Sequence, residues 1–254
     1  MPALYVIGGA GGNVVVRTTD AGLIVVDTKI HGNYEALRAE IRKISNAPVR
    51  YVFLTHYHFD HIGGAAEFQR AGAEMIGQAR IRGLIEANPT IAGAFAVPPT
   101  ITFDKRYTLS YRGVTVNALH LGAGHTGGDS VIYFPDLKVV AMGDLVVTGI
   151  TPNIDYAGGG SLLGWQKVLT EVAKLDFTIC IPGHRAEVMT RKDFTDYAAK
   201  WDLLIARGRA AVRAGVSKEN LLAAIQTDDL GWNINTAPWN WPERVDGLYA
   251  ELSR

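Results

Sequence analysis

Three histidines and an aspartate fall within six residues, His56-Tyr57-His58-Phe59-Asp60-His61. Neutral imidazole nitrogen and carboxylate oxygen are ligands for divalent metals, and zinc takes about four of them. Alternate side chains of a strand face opposite ways, so such a cluster converges only at a turn. One turn cannot fill two coordination spheres, so partners are sought at other strand ends. Three qualify: His125 in Gly122-Ala123-Gly124-His125-Thr126-Gly127-Gly128, Asp144 after Gly143, and His184 after Pro182-Gly183. Glycine beside each lets the backbone turn sharply and approach an ion. Five of the seven histidines belong to this set, and His31 and His120 do not. The single Cys180 excludes a multi-cysteine metal site and an internal disulfide framework, and its apolar strand makes it a small buried hydrophobe.

The elements that must position these residues read as short segments. Residues 4–7, 13–17 and 22–27 are rich in β-branched side chains and punctuated by glycine, which predicts an antiparallel meander with a hairpin turn at Gly8 to Gly12. Asn33 stands where it can cap a helix to about Ile44, with Leu37, Ile41 and Ile44 on one face. The apolar run 50–54 predicts a buried strand ending in Thr55-His56, and a short helix from Gly63 or Gly64 to Arg70 follows. That sets the histidine cluster at a strand-to-helix turn. A strand over 74–77, a helix over 79–87 and a proline-containing connection over 89–99, a candidate pocket border, come next.

Strands over 109–111, 114–121, 130–134 and 139–142 predict a second sheet. Ser161 caps a helix whose Trp165, Val168, Leu169 and Val172 form one stripe, and a strand over 177–181 leads to His184. From Phe194 the period becomes helical, with another helix from Ser217 to about Gln226. Trp232, Trp239 and Trp241 lie near Pro238 and Pro242 and are expected to clamp the tail. No low-complexity segment, repeat or linker cuts the chain, so residues 1–254 read as one domain, with a helical extension over 190–254 packed on it.

The order and spacing of the candidate ligands resemble the metallo-β-lactamase superfamily, whose mark is His-x-His-x-Asp-His, then a later His, then Asp or Cys, then a final His. The resemblance covers roughly residues 4–187, including the strand ending in Asp27. It implies an α/β fold, a four-layer αββα sandwich of two mixed sheets with outer helices and the site along one edge. It also implies that His56, His58 and His125 hold one zinc, that Asp60, His61 and His184 hold a second, and that Asp144 bridges them; iron or manganese is compatible with the same ligands. Class B1 and B2 β-lactamases carry cysteine where Asp144 stands, so the site is more similar to the glyoxalase II and lactonase branches.

Two such metals sharing a hydroxide supply a nucleophile at neutral pH and polarise a carbonyl. The expected function is therefore zinc-dependent hydrolysis of a carbonyl C–N or C–O bond, in a lactam or lactone ring, with Asp60 also orienting the hydroxide or relaying its proton. Asn153 is a candidate oxyanion donor to substrate. Val147 occupies the position of a lysine that many β-lactamases carry, so recognition of a substrate carboxylate either uses another cation, Lys29 or Arg185, or does not occur. A glyoxalase II-like thioesterase is the alternative, with Lys200, Arg207, Arg209 and Arg213 as tail cations. A phosphodiesterase or nuclease, an iron persulfide dioxygenase and a non-catalytic metal-binding protein complete the range.

Lys plus Arg and Asp plus Glu both number 25, so no net field favours nucleic acid or an anionic membrane. The expected partner is a small-molecule substrate, with oligomeric state open. No apolar run reaches membrane-spanning length, and Met1 to Ala10 lacks the basic and apolar regions of a signal peptide. The chain as written reads as cytoplasmic; a leader removed from the natural protein would make it periplasmic or secreted.

Overall fold

Strands with β-branched residues at successive positions need cover on both faces, and the computed structural model, which describes residues 3–185 and 187–254, provides it. One sheet holds β1 (Leu4–Ile7), β2 (Val14–Thr19), β3 (Gly22–Val26), β4 (Val49–Leu54), β5 (Glu74–Gln78) and β6 (Ile101–Phe103) in that spatial order. β1 to β3 are the antiparallel meander, and β3 to β6 run parallel. The other holds β7 (Arg106–Tyr111), β8 (Val114–Leu119), β9 (Val131–Phe134), β10 (Val139–Ala141), β11 (Ile179–Ile181) and β12 (Met189–Thr190), antiparallel apart from the β10–β11 pair.

Alternation along the strands divides the core. In β3, Ile24 and Val26 join Phe53, Ile132 and Phe134 between the sheets, while Leu23 and Val25 face outward. Outside the first sheet lie α1 (Tyr34–Ile44), α2 (Phe59–Ile62), α3 (Ala65–Arg70), α4 (Arg80–Ala87) and α5 (Pro89–Ala92), which contribute Leu37, Ile41, Phe68 and Ile81 to this outer layer. Outside the second lie α6 (Leu162–Val172), α7 (Arg191–Arg213), α8 (Leu221–Ala224) and α9 (Pro242–Leu252), packed through Trp165, Trp201, Leu221 and Leu248. The expected four-layer αββα sandwich is the architecture observed.

Several local expectations change. His58 to Ile62 is not a plain turn, because the motif itself closes a helical turn, α2, after an extended His58. β6 and β12 are edge strands of three and two residues, too short for a periodic signal. Their pairing with β5 and β11 creates them. The helix expected from Ser217 shrinks to a 3-10 turn and the single turn α8. α7 starts earlier than Phe194, at Arg191, because Thr190 and Asp193 form a reciprocal capping box. Among the described residues no helix is long and apolar enough to cross a membrane.

Tryptophan and a buried carboxylate tie the C-terminal segment to the sandwich. Trp201 stacks on Trp165 with ring centroids 4.3 Å apart, and Trp232 packs on Trp201 at 5.3 Å. Trp239 Nε1 donates to the Pro152 carbonyl. Trp241 instead stays 46% exposed, beneath the Arg244 guanidinium. Glu251 of α9 is buried and accepts from Ser161 Oγ and from the Leu162 and Leu163 amides at 2.8, 3.0 and 2.9 Å. It thereby satisfies amides at the α6 N-terminus that the helix cannot satisfy itself. Removing that acceptor leaves buried donors unpaired, so Glu251→Ala is expected to lower unfolding free energy by about 1–3 kcal/mol. Urea denaturation checks this, and an unchanged midpoint would show that α9 is not what caps α6.

Candidate metal centre

Parallel strands deliver their C-terminal ends to a common edge, where open α/β sheets place their ligand sites. β3 runs into Asp27, and the neighbouring β4 runs into Thr55, His56 and His58. In the second sheet, β10 leads to a short 3-10 turn bearing Asp144, and the parallel β11 leads to His184. The loop after β8 carries His125. All seven candidate ligands meet there.

Their donor atoms form three overlapping groups, His56 with His58 and His125, Asp60 with His61 and His184, and His56 with His61 and Asp144, each within 4.8 Å. Asp144 lies between the first two: its Oδ2 is 3.7 Å from His125 Nε2, and its Oδ1 is 3.1 Å from His61 Nε2 and 3.3 Å from His184 Nε2. Asp60 Oδ2 is 3.3 Å from His184 Nε2 and 3.7 Å from His61 Nε2. Ligands about 2.0–2.2 Å from a tetrahedral ion sit ~3.3–3.6 Å apart, and these distances bracket that value.

Hydrogen bonds on the far sides of the rings fix which nitrogens face inward. His125 Nδ1 is 2.6 Å from the Asn153 carbonyl, which only accepts, so Nδ1 carries the hydrogen. Thr55 Oγ1 donates to Asp27 Oδ2 at 2.7 Å and therefore accepts from His56 Nδ1 at 3.0 Å. Asp27 Oδ2 also takes the His61 Nδ1 hydrogen at 2.8 Å, and Asp155 Oδ2 takes that of His58 Nε2 at 3.1 Å. Each ring then bares its other nitrogen toward the centre. His58 Nδ1 and His125 Nε2 face one another at 2.9 Å with no hydrogen left to share in these tautomers. His56 Nε2 and Asp144 Oδ1 are buried without a hydrogen-bond partner. Converging lone pairs and orphaned buried donor atoms fit a cation.

The protonation preferences agree. Burial, then the neighbouring histidines, holds His56 well below the ordinary imidazole range, and burial with His58 pushes His125 down to about 4. Both stay neutral, as ligands must. Burial opposes charge on Asp144 as well, but His61 and His184 hold its carboxyl well below the usual range. On His61, burial is outweighed by Asp144, Asp60 and Asp27, which raise its affinity for a proton. A cation at Nε2 competes for the same lone pair.

Close packing completes the site. A Cβ at Gly12 would run into the His61 ring, and one at Gly183 into Asp144 Oδ1. The turn 8–12 is thus more than a hairpin connection, because it presses on a candidate ligand. Asp27, Lys29 and Arg185 hold positive φ values of 61°, 69° and 62°, and backbone strain of this kind gathers at functional sites.

Other residues singled out from sequence have different surroundings from those expected. Lys29 is buried and donates to the Ile7 and Gly12 carbonyls at 2.6 and 2.8 Å, so it braces the turn over His61 and does not meet a substrate carboxylate. Burial pushes its ammonium down to about 8. Arg185 is exposed, with Nη2 3.2 Å from the Gly149 carbonyl. Asn153 orients His125 through its backbone carbonyl, and its Oδ1 accepts from Arg244 Nε at 3.2 Å.

Three carboxylates escaped sequence reasoning as site residues. Asp27 stood out only as a strand end. Asp155 accepts from His58, from the buried Tyr57 hydroxyl and from the Gly158 amide, bonds that outweigh burial and keep it ionised. Asp129 binds the Gly124 and Thr126 amides at 3.1 and 3.0 Å and Thr126 Oγ1 at 2.6 Å, which shapes the loop presenting His125. Burial pushes its carboxyl up to about 7. The glycines of residues 122–128 mark a sharp turn around His125; nothing in the sequence pointed to Asp129 or Asp155.

An αββα sandwich with a histidine–aspartate centre on the strand-end edge defines a class of metal-binding proteins. The family model described as metallo-β-lactamase superfamily matches residues 7–184, and the chain belongs to that superfamily. It is 29% identical over 206 residues to the 2,4-dinitroanisole O-demethylase subunit alpha of Nocardioides sp. (strain JS1661), covering 79% of this chain and 60% of that one. It is 28% identical to metallo-β-lactamase IND-1 of Chryseobacterium indologenes, covering 68% and 71%. The solved structure of the stereoselective inverting sec-alkylsulfatase Pisa1 from Pseudomonas sp. aligns with 98% of this chain and 48% of its own, at TM-score 0.76 and 16% identity, a likeness of fold. The chain thus spans under two thirds of the demethylase subunit's length. Superfamily members are mostly metal-dependent hydrolases that bind metal ions.

His58 is aimed by Asp155 across the fold. Asp155→Ala is expected to weaken metal binding about 10- to 100-fold, measured by chelator competition beside thermal unfolding of the metal-free proteins. Unchanged affinity would mean that His58 is aimed without Asp155.

Proposed function

We propose that the chain is a dinuclear zinc hydrolase that opens a carbonyl C–N or C–O bond, in a lactam or lactone ring. The observation that carries this is the Asp144 carboxylate standing between two triads of donor atoms, His56/His58/His125 and Asp60/His61/His184. Five imidazoles, two carboxylates and no thiolate suit zinc, and each triad leaves room for further oxygen ligands. Held by these residues, two ions would supply Lewis acidity, lowering the pKa of water toward neutrality and polarising a substrate carbonyl.

The chain's own residues do the rest. Asp27, Thr55, Asp155 and the Asn153 carbonyl hold the rings at fixed tautomer and angle. Asp60, partly exposed beside His184, is placed to hold a proton released at the centre. The lactam reading draws support from the β-lactamase relative. The thioesterase alternative loses ground, because Lys200 is engaged with the Leu230 carbonyl and Arg207 with Asp229. A second reading, removal of an O-methyl group from an aromatic ether, is supported by the 29% identical demethylase subunit.

The zinc-loaded protein is assayed on β-lactams, homoserine lactones, glutathione thioesters and 2,4-dinitroanisole. Ring opening ahead of the other arms is the expected result, and ether cleavage alone would replace this reading with the second. Elemental analysis is expected to find two zinc ions in the parent and one in His125→Ala; equal counts would sink the dinuclear assignment. Asp144→Ala is expected to lower kcat/KM by at least about 100-fold, and chelation to abolish turnover until zinc is restored.

A further inference from the structure

The turn between β1 and β2 reaches all three parts of one candidate triad, Asp60, His61 and His184. Gly11, at φ +100°, lies so close to the α2 turn that a Cβ there would stand 2.7 Å from the Asp60 carbonyl oxygen. The Gly12 amide donates to that oxygen at 2.9 Å, and a Cβ at Gly12 would enter the His61 ring. Asn13, buried just before β2, crosses to the segment that bears His184. Among the described residues, no hydrogen bond joins residues 11–13 to His56, His58 or His125.

Three hydrogen bonds from Asn13 clamp the His184 segment. Its backbone amide donates to the Gly183 carbonyl at 2.6 Å, and its Nδ2 donates to the Pro182 and Arg185 carbonyls at 2.8 and 2.5 Å. Carbonyls only accept, so the nitrogen end of the side chain must face them, and both its hydrogens are used. The buried Oδ1 has no hydrogen-bond partner, so the side chain is held by what its nitrogen gives. The acceptors flank His184 on both sides, and one belongs to Arg185, held at a φ of 62°. From the other direction the Gly183 amide donates to the Val146 carbonyl at 2.8 Å, which wedges the segment between Asn13 and the turn after Asp144.

His184 depends on such a clamp more than the other rings do. Its side chain is 23% exposed, against 0% for His61 and 10% for His58. The other four rings each have an acceptor on the far nitrogen, whereas among the described residues His184 Nδ1 has none. A ring without an outer acceptor is aimed through its backbone, and a ligand is only as well placed as the groups that support it. Lys29 braces the clamp from behind through the Ile7 and Gly12 carbonyls.

We infer that Asn13 is a positioning residue for the Asp60/His61/His184 metal site, fixing where His184 stands relative to Asp60 and His61, and that the His56/His58/His125 site does not depend on it. This role rests on the two-ion reading above and makes the two ions separable by a residue that touches neither.

Zinc binding to the metal-free proteins, titrated against a chelating indicator, tests the role without turnover. In a His125→Ala background the remaining ion sits on the Asp60 triad, and adding Asn13→Ala is expected to weaken it about 10- to 100-fold. In a His184→Ala background the remaining ion sits on the His56 triad, and the same change is expected to alter its affinity by less than about twofold. Asn13→Leu keeps the bulk and lacks both hydrogens; it is expected to repeat the selective loss, and it replaces the alanine variant if thermal unfolding shows that one misfolded. Equal weakening in the two backgrounds, or none in the first, overturns the proposal. A parent that binds one ion removes the two-ion reading, and the clamp then stands or falls on whether Asn13→Ala weakens that ion. Because the readout is binding, a protein that holds zinc and opens no ring loses the hydrolase reading while the selectivity for one triad still decides the role of Asn13.

Discussion

An imidazole can point a lone pair at a target only if its other nitrogen is held by an acceptor, and this fold must do that for several rings in one small volume. His56, His58, His61 and His125 each have such an acceptor: Thr55, Asp155, Asp27 and the Asn153 carbonyl. Without them the rings would turn to relieve the approach of one bare nitrogen to another. The acceptors are themselves held, since Asp27 also binds the Thr55 amide and hydroxyl, and Asp155 the Tyr57 hydroxyl and the Gly158 amide. Burying these carboxylates is costly, and the cost is tolerable because each accepts several hydrogen bonds.

The sandwich supplies the rigidity that this arrangement requires. Ile24, Val26 and Phe53 lock β3 and β4 against the second sheet, so the residues just beyond those strands, Asp27 and Thr55, cannot drift apart. The β10–β11 pair does the same for Asp144 and Gly183, which lie so close that any side chain at 183 would displace the carboxylate. Site geometry and core packing are therefore parts of one constraint.

The C-terminal segment belongs to that constraint as well. Trp239 binds the Pro152 carbonyl and Arg244 binds Asn153 Oδ1, so the tail grips the loop whose backbone orients His125. Glu251 caps α6, whose Trp165 lies against the His125 ring at 5.8 Å. The tail reaches the metal centre through these contacts without supplying a candidate ligand.

The convergence of the candidate ligands was legible in the chain because a metal demands particular side chains, and four of them fall in one local motif where spacing alone implies convergence. His125, Asp144 and His184 were legible because glycine and strand ends flag sharp turns. The strand alternation and the Trp165 stripe carried the layers for the same local reason. Asp155 lies 97 residues from His58, and no local pattern can encode a contact of that range. Lys29 looked like a free cation until the turn over Gly12 enclosed it. β6 and β12 exist only through their neighbours. Sequence by itself determined which atoms can bind a metal and the order in which they come; tertiary structure alone decided which way each ring faces, because orientation depends on hydrogen-bond partners brought from distant parts of the chain.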